Sequence, residues 1–184
     1  CHVFSMSLPW ALRAFSPRAE QAYLRADPTL RQSWRARLPA GRKIGLVWRG
    51  RAEHPFDHCR SLPGPEALLP LLADPGVNWI SLQPEPGEAE REWLREHGVL
   101  ELGGELKDFA DSAALLAELD GVVSVDTAMA HLAGALGVPC RLLLAGEHVD
   151  WRWGRDGEAT PWYGSVRLQR QRRGEGWDET MARL

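Results

Sequence analysis

Asp126, Thr127 and His131 are the residues of this chain best spaced to hold an anion. They lie at the turn of DGVVSVDTAMAHLAGALGVPC, residues 120–140. Val122, Val123 and Val125 form a short β-branched run of the kind that a parallel sheet buries on both faces, and Asp126 falls at its carboxyl end. Thr127 is a favourable N-cap, residues 128–136 favour helix, Gly137 suits a left-handed C-terminal position, and Pro139 stops the helix. The first helical N–H groups then lack backbone partners, and an open α/β sheet aims such a turn at the crevice outside its strand ends. A phosphate is the anion suited to that place. His131 lies one helical turn after Thr127 on the same face, whereas Met129, Leu132, Ala133 and Leu136 face the core. The small residues Ala128, Ala130, Ala133, Gly134 and Ala135 let backbone approach a ligand or a neighbouring element closely. The same pattern also suits plain packing of a helix on a sheet, since every doubly wound protein has several capped strand-turn-helix units.

Other chemistry-bearing residues fit simpler roles. His54, Asp57, His58 and Cys59 are metal-ligand types without zinc spacing, and they read as a polar loop. His131 with Asp126 or Asp150 suggests a hydrolytic dyad, but no serine or cysteine stands on a nucleophile elbow. Glu88, Glu90, Glu92 and Glu96 read as a solvated helix face, and Arg170, Arg172 and Arg173 as a solvated patch. A net charge of -3 gives no polyanion-binding surface, so nucleic acid is not an expected partner. Three cysteines without disulfide or zinc spacing point to a reducing compartment, here the cytoplasm. No apolar run reaches membrane-spanning length. The chain has no initiator methionine and no signal-peptide pattern, which reads as a piece of something longer.

Strands and helices alternate along most of the chain. Strands are expected at 43–48, 77–82, 99–102, 122–125, 141–144 and 166–171. Helices are expected at 65–73, 87–97, from Asp111 or Ser112 to 119, at 128–136, and from 177. This alternation predicts an α/β fold with a doubly wound, Rossmann-like parallel sheet and right-handed crossovers. Residues 1–40, rich in arginine and broken by Pro9, Pro17, Pro28 and Pro39, read as a strand end followed by linker helices. Trp79 and Trp93 are expected in the core. The later tryptophans suit either a covered sheet edge or a wall on which a sugar stacks.

VSVDTAMAHLAGALGVP resembles the donor-site signature of the glycosyltransferase family 9 (heptosyltransferase-like) proteins, especially the form attached to bacterial tetratricopeptide repeats. IGLVWRG with Arg60 and Ser61, WISLQPEPGE, LKDFADSAALLAELD, DWRW and TPWY are similar to further blocks of that family, so the likeness spans residues 42–171. The resemblance implies the carboxyl-terminal half of a GT-B glycosyltransferase, with residues 1–40 ending the amino-terminal half and its linker and residues 41–184 forming the nucleotide-sugar domain. It implies that Asp126, Thr127, Ala128 and His131 hold the donor diphosphate, with Arg60 as cationic partner and Trp48, Arg49, Gly50, Arg60 and Ser61 on the loop that closes over it. Gln83 would lie near the ribose, and Asp108 with Phe109 near the base. Arginine and glutamine stand where heptosyltransferases carry lysine and glutamate. The implied reaction moves a sugar from a nucleotide diphosphate to an acceptor hydroxyl of a glycan or protein, without metal or cofactor. The base that deprotonates the acceptor is expected on an amino-terminal domain. The alternative is a non-catalytic Rossmann-like scaffold within a repeat protein.

Overall fold

The computed structural model describes Phe4, residues 7–14 and residues 21–184. Its centre is a six-stranded sheet in the order β3-β2-β1-β4-β5-β6, every pair parallel. The strands are β1 (Arg42–Val47), β2 (Val77–Ser81), β3 (Leu100–Glu101), β4 (Gly121–Val125), β5 (Cys140–Leu144) and β6 (Val166–Arg170). The helices are α1 (Leu8–Ala11), α2 (Pro28–Arg35), α3 (Asp57–Arg60), α4 (Glu88–Glu96), α5 (Phe109–Leu116), α6 (Ala128–Leu136) and α7 (Trp177–Met181). Residues 1–3, 5–6 and 15–20, which include much of the expected amino-terminal strand end, lie outside the described residues.

The middle strands are apolar on both faces because the sheet buries both. On one face Val47, Ile80, Val122, Leu142 and Leu168 pack against Leu115, Met129 and Ala133 of α5 and α6. On the other, Leu46, Trp48, Val125 and Leu143 pack against Leu68, Leu94 and Met181. Trp79 and Trp93 lie half-buried against this second cluster. Strand order runs outward in opposite senses from β1 and β4. The two crossovers therefore diverge at this pair, and a crevice opens beyond its carboxyl ends.

Two of the expected helices differ from the sequence reading. The helix expected at 65–73 is only a 3-10 turn, Pro65–Leu68, followed by further turns. Pro70 lacks the N–H and clashes with the carbonyl four residues earlier, so a regular helix cannot pass it. The helix expected from Asp111 or Ser112 begins at Phe109, because the Asp108 carboxylate accepts from the amides of Ala110 and Asp111 at 2.8 and 2.9 Å.

Helix α2 lies before residue 41 and yet packs as part of this unit. Asp27 caps it, accepting from Thr29 and Leu30 at 2.8 and 2.9 Å. Trp34 is 5% exposed and joins the core beside α5. Arg31 and Arg35 each reach Glu118 at 2.7 Å. Their hydrogen bonds hold the Glu118 carboxyl below the ordinary carboxylate range, with the Arg35 bond the largest effect. Among the described residues no helix is long and apolar enough to cross a membrane. Trp34→Ala should lower unfolding stability by about 3 kcal/mol or more, as removal of a buried aromatic does, read from denaturant midpoints. A loss below 1 kcal/mol would show that α2 is only loosely attached.

Candidate functional site

The turn after β4 opens on the crevice. Thr127 occupies the N-cap position of α6 with extended backbone, but its side chain caps nothing; Thr127 Oγ1 lies 3.2 Å from Ser124 Oγ instead. Among the described residues the amides of Ala128 and Met129 find no acceptor, because the first backbone bonds of this helix start at Ala130 and His131. Two N–H groups are thus left for a ligand at the positive end of the helix dipole. A cleft of about 310 Å³ reaches the turn from one side, lined by Asp126, Arg60, Leu143, Phe56, His148 and Asp150. A second, of about 500 Å³, reaches it from the other, lined by Thr127, Met129, Arg49, Gly50, Gln83 and Glu85.

Arg60 lines the first of these clefts. Its Nη1 donates to the Asp126 carbonyl at 3.2 Å and its Nε to Asp57 at 3.1 Å. Those bonds leave Nη2 free to donate elsewhere. Gly50 makes this placement possible, since a Cβ there would stand 2.5 Å from Arg60 Nη2. Its amide donates to Ser61 Oγ at 2.9 Å, which ties the loop after β1 to the end of α3. The segment read as a polar loop therefore contains a short helix, and among the described residues no cluster of three His, Cys, Asp or Glu side chains could hold a metal ion.

Gln83 and Glu90 shape the loop after β1. Gln83 is 2% exposed, and its Oε1 accepts from the amides of Trp48 and Arg49 at 3.3 and 3.1 Å. Glu90 accepts from Trp48 Nε1 at 2.8 Å, from Arg49 at 3.1 and 2.9 Å, and from the Gly87 amide at 2.7 Å. Burial pushes the Glu90 carboxyl up, but the bonds from Arg49, Gly87 and Trp48 outweigh it and hold the group below the ordinary range. The glutamates of α4 therefore do not form a uniformly solvated face. Trp48 also departs from expectation: it continues the alternation of Leu46, so its ring is wholly buried in the second core cluster and only its backbone borders the site. Arg170 likewise leaves the expected solvated patch, donating to the carbonyls of Trp153, Gly154 and Gly157 and fastening residues 151–157 to β6.

His131 faces the turn, with Nε2 3.7 Å from Asp126 Oδ1 and Nδ1 3.0 Å from Tyr163 Oη, while its ring stacks on Trp153 at 5.0 Å. Burial lowers its pKa from 6.5, and Arg152 acts in the same direction against Asp126 and Asp150. Asp108 and Phe109 line neither cleft: the Asp108 carboxylate is committed to capping α5, and Phe109 is 65% exposed. The contributions of Glu90, Tyr163 and Trp153 were not legible as site features, since each acts across a sequence gap of tens of residues. Trp151 is exposed with Trp162 edge-on to it at 6.0 Å, so the late tryptophans divide between core and surface.

Residues 80–152 match the model of glycosyltransferase family 9 (heptosyltransferase). The chain is 33% identical over 190 residues to Protein FlbA of Caulobacter vibrioides, an alignment that takes in 98% of this chain and 31% of that protein. In fold it is similar to ADP-heptose lps heptosyltransferase II of E. coli, at 19% identity and a TM-score of 0.58, covering 86% of this chain and 48% of the other. The E. coli heptosyltransferase WaaC with ADP aligns at 21% identity and a TM-score of 0.50, over 84% and 44%. The chain thus spans about a third of the curated relative and about half of each solved structure. The fold is the α/β, Rossmann-like sheet shared with these GT-B heptosyltransferases.

Glu90→Gln should detach Arg49 and lower stability by roughly 1–3 kcal/mol near neutral pH, as loss of a charged hydrogen bond does. The folded-state pKa of Glu90 lies below its ordinary 4.5, so its stabilisation is full above that value and fades as pH falls through the folded pKa. The acid limb of a stability-against-pH curve should accordingly be shallower in the variant than in the parent.

Proposed function

We propose that this domain binds the nucleotide diphosphate sugar of a GT-B glycosyl transfer, with the diphosphate at the first turn of α6. The observation that carries this reading is the conjunction, at the β1/β4 divergence, of unpaired Ala128 and Met129 amides with Arg60 held on the Asp126 carbonyl in the first cleft. The family match and the ADP named with one fold neighbour support the same reading. In it, the first-turn amides, Thr127 and Arg60 neutralise the diphosphate as it leaves the sugar. Arg49, Gly50 and Ser61 form the loop over the phosphates, and Gln83 faces the ribose only through the loop it holds. Asp108 and Phe109 would reach a base only if it extended past both clefts. No metal is assigned to the step.

The acceptor hydroxyl loses its proton to a base that we assign to a separate amino-terminal half, so these 184 residues bind donor without turning it over. In the whole protein that half, and tetratricopeptide repeats before it, would present a glycan or protein acceptor. Several contacts must combine, because a helix N-terminus contributes only about 0.3–2 kcal/mol to an anion and millimolar binding already requires about 4 kcal/mol.

A thermal-shift screen with ADP, UDP and GDP and their sugars should raise the melting temperature with at least one. Arg60→Ala should then weaken the responding nucleotide roughly tenfold or more by calorimetry while leaving the melting temperature of the free protein within a few degrees. No response to any nucleotide would favour the scaffold reading instead.

A further inference from the structure

The aromatic motifs DWRW and TPWY converge on one ring of α6. Trp153, from the first, stacks on His131 at 5.0 Å with 25° between the planes, and Tyr163, from the second, meets it edge-on at 5.8 Å with its hydroxyl 3.0 Å from Nδ1. Gly134, one turn beyond His131, leaves the space for Tyr163, since a Cβ there would overlap the phenol ring. Trp153 is 2% exposed, and its Nε1 has no hydrogen-bond partner among the described residues. Burying such a group unpaired is unfavourable, and the indole is nonetheless packed against the imidazole.

Electrostatics decides which ring nitrogen carries the proton. Nε2 faces the Asp126 carboxylate at 3.7 Å, where a lone pair would be repelled and an N–H attracted. Nδ1 must then be the bare nitrogen, accepting the Tyr163 O–H. Burial, reinforced by the Tyr23 hydroxyl, raises the phenol pKa further and keeps that hydroxyl protonated. The charged groups facing His131 are Asp126 from the turn and Arg152 and Asp150 from the segment before Trp153, and they pull in opposing senses.

We infer that Tyr163 is a positioning residue: together with Asp126 it sets His131 as the Nε2–H tautomer, the carboxylate drawing the proton to Nε2 and the hydroxyl donating to Nδ1, so that the ring N–H faces and offsets the Asp126 carboxylate lining the first cleft. The tautomer follows from the protein alone. Its consequence for ligand binding rests on the donor-site reading above.

Nitrogen-15 NMR of the histidine side chains, with His131→Ala to assign the signals, tests the tautomer without any ligand. Above pH 7 the parent should show a protonated Nε2 and a bare Nδ1. Tyr163→Phe, which keeps the ring packed on Gly134, should show a smaller share of the Nε2–H form and a higher His131 titration midpoint, because the bond that favours the neutral ring is gone while Asp126 still faces Nε2. A protonated Nδ1 in the parent, or identical nitrogen shifts and midpoint in the two proteins, would overturn the inference. Titration with the nucleotide diphosphate that responds in the thermal screen should show roughly fivefold weaker binding to Tyr163→Phe, the size of one neutral hydrogen bond. Equal affinity with an altered tautomer would remove the consequence for binding and leave the tautomer standing, whereas a parent that binds no nucleotide would count against the donor site alone.

Discussion

The parallel pairing of β1 with β4 is the constraint on which the rest of this domain depends. It places Leu46 beside Val123 and Val47 beside Ser124, so the chain leaves both strands at the same level and on the same rim of the sheet. One exit becomes the loop of Arg49 and Gly50, and the other becomes the turn of Asp126 and Thr127 into α6. Neither exit can fill the gap between them, because right-handed crossovers carry the following chain away in opposite directions. A rim with unpaired amides and a gap beside it is a place where water or a ligand must supply the missing acceptors.

What surrounds that rim is arranged to keep it rigid without closing it. Gln83 and Glu90 hold the β1 loop from β2 and α4, Ser61 holds it from the end of α3, and Arg170 holds the aromatic segment from β6. Each of these polar groups is half-buried or buried and hydrogen-bonded to backbone or to another side chain, so each would leave an unpaired group behind if removed. The site is therefore preformed by interactions that are themselves outside it. Under the proposed function this suits electrostatic stabilisation of a leaving diphosphate, which requires donors fixed before charge develops.

The apolar helix α6 shows how one element serves both packing and chemistry. Met129, Ala130 and Ala133 bury its inner side, Gly134 admits Tyr163, and His131 takes the one direction left open toward the turn. A histidine in such a helix would be costly if unpaired. Here one nitrogen meets a phenol and the other a carboxylate, so burial selects a neutral ring with a defined donor direction.

The sequence alone determined the alternation of elements and the turn at Asp126, because β-branched runs, Gly137 and Pro139 act locally and within a few residues. It also contained, unread, the reason the 65–73 helix fails, since Pro70 is a local breaker. Only the tertiary structure decided that Trp48 turns into the core, that Glu90 grips Arg49, that α2 joins the fold through Trp34 and Glu118, and that Tyr163 meets His131. The hydrogen bonds among these contacts join residues 32–87 positions apart along the chain only through the tertiary fold, and periodicity carries no information about which distant side chain a buried polar group will find.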